Sequence, residues 1–314
     1  MTAALKYEDI PLLLLSIFAV LANIFVCFLV LNTRRLRSAT NKFVVSLAIS
    51  DILIAGLLLP FILAKVDAIV IDYMGSISLL AGVANIAVIT IDRYIAVFNP
   101  FKYNAIMRKW LVRTIILIWT LSIVISLLPL IWSTNQSSTQ HHVYIFTVQI
   151  GLVILSYALI FMAYYKIFRK VRQTVRKERT LMMSLAVSRG HGGKQIKVCP
   201  SASESKVTRV SVIIALNFML TWLPVEYMTL VHTVGMPGLI PLPLPKISLF
   251  TIALGALIDP VVYSYLKADF RHAIKRMFKK FRRYANSDQG ETSASQSMMG
   301  GYKYRVGGYN STNV

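Results

Sequence analysis

Cysteine and acid are scarce in this sequence: 2 cysteines and 13 Asp or Glu residues in 314 positions. Cys27 lies in a long apolar run and Cys199 in a basic loop, which excludes a structural disulfide between them. Internal repeats are also missing, which weakens an inverted-repeat transporter. Residues 10–33 and 143–165 carry no charge, and each run is long enough to cross a bilayer as a helix. The first lacks a basic leader, exceeds a signal core in length and is interrupted by Asn23, so it reads as a span rather than a cleaved signal. With 56% hydrophobic and 15% charged residues, the chain is too apolar for an ordinary soluble protein.

Base is plentiful, and the net charge of +21 raises the question of nucleic acid. Its distribution answers no. Of 34 Lys and Arg residues, only Lys6, Lys65 and Lys246 fall outside segments 34–42, 93–113, 166–209 and the tail after Leu266. These are alternate connections, and this asymmetry places them in the cytoplasm. The expected architecture is all-α: a seven-transmembrane helix bundle with an amphipathic interfacial eighth helix. The spans are expected near 9–33, 41–63, 67–98, 111–132, 143–170, 206–233 and 246–266, after a short extracellular N-terminus at 1–8. The third cytoplasmic loop is expected at about 171–205, with "KIFRKVRQTVRK" (166–177) continuing the fifth helix. Outside, the Pro-rich "GMPGLIPLPLPK" (235–246) predicts a stiff connection.

Residues 267–284 place Phe270, Ala273, Ile274, Met277, Phe278 and Phe281 on one helical face, with Lys and Arg opposite. That pattern predicts a helix in the inner membrane interface, with anionic inner-leaflet lipid as partner. A disordered cytoplasmic tail is expected at 285–314.

Polar residues inside the spans are candidates for function. At about 1.5 Å per residue from the cytoplasmic ends, Asn23, Asp51 and Asp259 reach similar depths, about 10–15 Å, where they can share hydrogen bonds, water or a cation. An intramembrane aspartyl protease lacks its Gly-x-Gly-Asp context here, since the settings are "LAISD" and "LIDPVVY". An ion- or proton-coupled transporter stays open on the carboxylates alone.

Motifs in all seven spans resemble the rhodopsin-like (class A) G-protein-coupled receptors. They are "LAN" (21–23), "LAISD" (47–51), "DRY" (92–94), Trp119, "YYKI" (164–167), "FMLTWLP" (218–224) and "DPVVY" (259–263), in order. The resemblance implies a plasma-membrane receptor that activates a heterotrimeric G protein, with no catalytic chemistry of its own. In it, Arg93 would pair with Asp92 and with Glu204 at rest, beside Tyr94, snorkelling to the inner interface. Activation would swing helix six outward about Pro224 and free the arginine. Phe218 and Trp222 would couple ligand contact to that movement, Tyr164 and Tyr263 would turn inward to stabilise the active state, and Asp259 with Pro260 forms a common variant of the seventh-helix motif. Asp51 with Asp259 resembles the family's pocket for an allosteric sodium ion, although Gly82 stands where many members carry a serine ligand.

The sequence departs from the pattern in its outer half. The cysteine pair joining helix three to the second outer loop is missing, Ser156 replaces a common proline, and only 42 positions separate Asp51 from Arg93. The DP variant and the missing pair resemble the melanocortin-related branch. Ala253 replaces the retinal-binding lysine of light sensors, and Gly75 replaces the aspartate that amine receptors use for an ammonium group. Candidate ligand contacts are Asp72, Gly75, Ser76, Glu226 and Thr229, suited to a cationic ligand or basic peptide. Neutralisation of the two acids by Lys65, Lys246 or His232 is the alternative, and a ligand-independent receptor follows if the pocket is cut back. Asn135 heads a glycosylation sequon in the second outer loop. The ending "STNV" offers Thr312 and Val314 to a PDZ-domain protein, and Ser287, Thr292, Ser293, Ser295 and Ser297 suit phosphorylation for arrestin.

Overall fold

In a computed structural model, described for residues 7–132, 138–189, 200–280 and 282 (side chains of 182, 185–189 and 200–206 excepted), seven helices are long and apolar enough to cross a membrane. No strand occurs among the described residues. Helix α1 (Ile10–Asn32) starts with a proline in its first turn, where the missing N–H has no intrahelical partner to lose. A 3-10 turn, Arg34–Leu36, leads to α2 (Ala39–Leu63), capped by Ser38, whose hydroxyl accepts from the Asn41 amide at 3.3 Å. Within α2, the Ile54–Leu58 stretch is π-helical. It precedes Pro60, whose ring would crowd the carbonyl four residues back in a regular helix.

Helix α3 (Ala68–Phe98) is capped by the Asp67 carboxylate on the Ile69 amide at 2.8 Å. Helix α4 (Pro100–Leu127) follows after Asn99 alone. The expected connection 93–113 is therefore helical except at Asn99, because Pro100 suits a first helical turn. Helix α5 runs through Thr139–Tyr144, a π-helical stretch Ile145–Leu152, and Val153–Arg189. Helix α6 spans Pro200–Thr233 with Pro224 inside it. Of the loop expected at 171–205, residues up to 189 and from 200 are thus helical, and 190–199 lie outside the described residues. Gly235, at φ +77°, ends α6: its amide donates to the His232 carbonyl at 3.0 Å while Met236 donates to Val231. That left-handed turn is a conformation glycine adopts without a Cβ clash. Helix α7 (Leu244–Leu266) begins within the Pro-rich segment, and residues 268–280 form α8.

Helix α3 is central, packing on α2, α4, α5 and α6, while α7 contacts α1 and α6. Leu79, Val83, Ile86, Ile214, Phe218 and Trp222 belong to the main apolar core. The outer surface is also apolar: Phe18, Phe161 and Leu220 are 60%, 69% and 67% exposed. Inside, Asn23, Asp51, Asn85 and Asp259 are buried. Apolar outside and polar inside is the distribution a hydrocarbon solvent selects. Helix α8 docks through Phe270 and Ala273, both buried, with Phe270 stacked on Tyr263 at 6.1 Å between ring centroids. Phe278 of the same helix stays exposed, and Phe281 lies outside the described residues.

Candidate functional site

Asp92 and Arg93 close the inner end of α3, and their side chains form a buried ion pair. Arg93 Nη2 lies 2.6 Å from Asp92 Oδ2, with side-chain exposures of 6% and 0%. The expectation that Arg93 snorkels to the interface is corrected: the guanidinium folds back into protein, because polar partners await it there. Thr40 Oγ1, from α2, donates to Asp92 Oδ2 at 2.8 Å and accepts from Arg93 Nη2 at 2.5 Å. Tyr103, in the first turns of α4, donates its hydroxyl to Asp92 Oδ1 at 2.7 Å. Three helices therefore hold one carboxylate and one guanidinium. Removing one partner of such a buried pair typically costs about 3–5 kcal/mol, since the other charge is left uncompensated. Tyr94 stays out of the cluster and stacks on Phe98 at 4.3 Å. The Glu204 side chain lies outside the described residues.

A second cation lies beside this cluster. Lys267, between α7 and α8, is buried and donates to the Asn41 side-chain oxygen, while Asn41 Nδ2 donates to the Leu36 carbonyl at 2.8 Å. Burial first, and then the Arg93 charge, pull the Lys267 pKa down to about 8.

Deeper in the bundle, Asp51 and Asp259 are buried within electrostatic reach of each other. Asn217 of α6 donates to Asp259 Oδ1 at 2.9 Å and to the Gly255 carbonyl at 3.0 Å. Asp51 Oδ2 finds no partner among the described residues. Two adjacent carboxylates with an orphaned oxygen suit a small cation or a shared proton. Gly82 adds no donor to that set. A Cβ there would meet the Phe218 ring at 2.4 Å, so Phe218 packs where a side chain would stand. Asn23 bonds neither acid, contrary to the shared-depth expectation. Its Nδ2 donates to the Ala256 carbonyl at 2.8 Å. Proline 260 sits four residues on and has no N–H to offer that carbonyl, so Asn23 supplies the missing donor from α1.

Phe218 and Trp222 stack with centroids 5.7 Å apart, both almost wholly buried. Tyr164 and Tyr263 are buried as well, and their hydroxyls lack a partner in good hydrogen-bond geometry among the described residues. Helix α6 is tied to α7 at a further point, where Thr251 Oγ1 donates to the Thr221 carbonyl at 3.0 Å.

In the outer half, Gly75 faces open space: nothing lies within 4 Å of a Cβ placed there. One turn below Asp72, which is exposed, Ser76 accepts from Gln149 Nε2 of α5 at 2.5 Å. Glu226 and Thr229 are half-buried on α6, and the Tyr157 hydroxyl, buried and without a hydrogen-bond partner among the described residues, lies within electrostatic reach of Glu226. Lys246 forms an exposed ion pair with Glu8 at 2.7 Å. Asn135, Thr312, Val314 and the tail serines and threonines lie outside the described residues.

The family model described as 7 transmembrane receptor (rhodopsin family) matches residues 22–263. This chain belongs to that family. The receptor is similar to the histamine H2 receptor of Homo sapiens, at 30% identity over 90% of this chain and 82% of that protein. It is also similar to neuropeptide FF receptor 1 of Rattus norvegicus, 25% identical over 85% and 68% of the two chains. With octopamine receptor beta-1R of Drosophila melanogaster it shares 27% identity, over 85% of this chain and 60% of that protein. These relatives do not show the melanocortin-related branch.

Of the residues singled out in the receptor's sequence, Asp92 pairs with Arg93, Phe218 stacks on Trp222, and Asp51 lies within electrostatic reach of Asp259. Thr40, Asn41, Tyr103, Gln149, Asn217 and Lys267 escaped that reading. Asn217 and Gln149, as amides inside apolar spans, carried a usable signal. Thr40, Asn41, Tyr103 and Lys267 sit in segments that are polar anyway, so nothing local set them apart.

Proposed function

We propose that this receptor sits in the plasma membrane with its N-terminus outside and its basic segments in the cytoplasm, and activates a heterotrimeric G protein when α6 moves outward. The observation that carries the reading is the buried Asp92–Arg93 pair braced by Thr40 and Tyr103. It keeps the guanidinium away from the inner surface, and release of that brace presents Arg93 to the G protein. Pro224 supplies the bend in α6, and the stacked Phe218 and Trp222 below it receive the outer stimulus. Asp51 and Asp259 would hold a sodium ion in the resting state. Arrestin and a PDZ-domain protein are proposed partners of the tail, the latter through Thr312 and Val314.

The ligand class is cationic. Glu226 supplies the carboxylate in place of the helix-three aspartate that Gly75 lacks, and the relatives' names refer to histamine, octopamine and a neuropeptide. A screen of amines and basic peptides against all classes of G protein tests this. Compared at matched surface expression, Arg93→Ala abolishes coupling, and Glu226→Gln lowers agonist potency at least tenfold. Unchanged potency in Glu226→Gln would sink the cationic assignment. The Gln149–Ser76 bond, which ties α5 to α3 across the outer half, favours a second reading, a ligand-independent receptor. In that case, signalling without ligand disappears in Arg93→Ala and no screened compound changes it.

A further inference from the structure

We propose that Lys267 is the replacement counter-ion of Asp92: when Arg93 leaves the carboxylate, the Lys267 ammonium takes its place. The replacement presupposes the release of Arg93 proposed above. At rest, Arg93 holds Asp92 Oδ2 through Nε at 3.0 Å and Nη2 at 2.6 Å. The Asp92 side chain is wholly buried. Departure of Arg93 would strip both bonds and leave a bare carboxylate in a buried site, which is strongly destabilising. Either a proton or a second cation has to neutralise it. The cluster contains such a cation.

Lys267 joins α7 to α8 and is 7% exposed. Its Nζ donates to the Asn41 side-chain oxygen, and Asn41 follows Thr40, whose hydroxyl touches both Asp92 and Arg93. Among the described residues Lys267 forms no ion pair, and the face of the Phe270 ring lies 5.7 Å from Nζ. A buried ammonium held by a neutral amide and a ring is undercompensated, so it gains from a carboxylate as Asp92 gains from a cation. Arg93, Asp269 and Asp92 are the charges within its electrostatic reach. Asp269 is exposed on α8 and screened by water, whereas Asp92 and Arg93 are buried. Repulsion between the two buried cations opposes the resting state, and departure of Arg93 leaves Lys267 with the attraction of Asp92. Both effects favour release. A pKa of about 8 leaves the amine largely protonated at neutral pH, and its flexible four-carbon stem lets Nζ move by a change of rotamer.

The test is agonist-free nucleotide exchange on each class of Gα, promoted by the full receptor in nanodiscs at matched receptor amounts. Tyr103→Phe serves as background, because loss of one brace on Asp92 raises the basal signal. There Lys267→Gln, which keeps a donor for Asn41 and removes the charge, lowers nucleotide exchange about tenfold, the low end for a close charge pair. Lys267→Met does the same, while Lys267→Arg keeps the charge and stays within about threefold. In an Asp92→Asn background no carboxylate needs neutralising, and the fall caused by Lys267→Gln shrinks below about threefold. An equal fall in both backgrounds, or one that Lys267→Arg shares, would make Lys267 a packing residue of α8 and overturn the replacement. Undiminished nucleotide exchange in Lys267→Gln would also overturn it, leaving a proton to neutralise Asp92. Should Tyr103→Phe itself fail to raise the basal signal, the restraint on Arg93 is refuted and the replacement falls with it.

Discussion

Tyr103→Phe is the sharpest probe of the inner cluster, because it deletes a single oxygen. That oxygen donates a 2.7 Å hydrogen bond to Asp92 Oδ1, and Asp92 is 1% exposed. A hydrogen bond to a charged group is worth about 1.5–3 kcal/mol, and the carboxylate oxygen left behind is buried. Loss of the bond destabilises the resting arrangement, in which Asp92 is braced, and leaves untouched any state in which the brace is already released. At about 1.5 kcal/mol the equilibrium shifts about twelvefold, so an active fraction of about 1% rises to about 11%. Thr40→Val removes the second brace, a 2.8 Å donor to Asp92 Oδ2 that also accepts from Arg93. Its effect should be similar, and the double variant should fall short of the sum, because both residues hold one carboxylate. The measurement is agonist-free nucleotide exchange on each class of Gα, at matched surface expression. Basal exchange equal to that of the unmodified receptor in both single variants would refute the idea that these contacts restrain activation.

Asn23→Ala leaves the Ala256 carbonyl without a donor, at a cost of about 1–3 kcal/mol, and a lowered thermal midpoint of the detergent-purified receptor would register it. Gly82→Ala drives a Cβ to 2.4 Å from the Phe218 ring; overpacking of this kind costs about 1–3 kcal/mol, and Phe218→Leu should restore most of the thermal stability in the double variant. Lys267, with its pKa pulled from 10.5 to about 8, binds fewer protons when folded than when unfolded between those pH values. Stability therefore rises with pH through that window, by up to about 3 kcal/mol, and the rise is absent in Lys267→Met; parallel pH profiles for the two proteins would contradict the assignment.

How much of this arrangement the sequence discloses depends on the solvent around each segment. In lipid, an uncharged run long enough to span is unmistakable, and a lone polar residue inside one signals a required partner. Asn23, Asp51, Asp92, Arg93 and Asp259 were legible for that reason. Their partners were not. Asn23 meets a backbone carbonyl 233 residues away, and no side-chain pattern announces a carbonyl. Lys267 reads as one more basic residue of an amphipathic helix, yet it is buried beside Asn41. The connection 93–113 looked like a loop because it is basic, and its helical form brings Tyr103 back under Asp92.

The two internal prolines show how one local rule gives opposite results. Each deprives the carbonyl four residues earlier of its donor. On α7, the carbonyl orphaned by Pro260 is Ala256, which receives Asn23 from α1 and so stays braced. On α6, the carbonyl orphaned by Pro224 belongs to Leu220, a residue whose side chain is 67% exposed on the lipid face. The α7 hydroxyl at this level, Thr251, goes instead to Thr221. The same deletion is thus repaired by a side chain from α1 in the helix that carries Asp259, whereas α6 carries its proline where the proposed mechanism wants a hinge. Under the proposed mechanism, placing a hydrogen-bond donor opposite Leu220 stiffens α6 and lowers signalling, whereas removing Asn23 loosens a helix that the mechanism needs fixed.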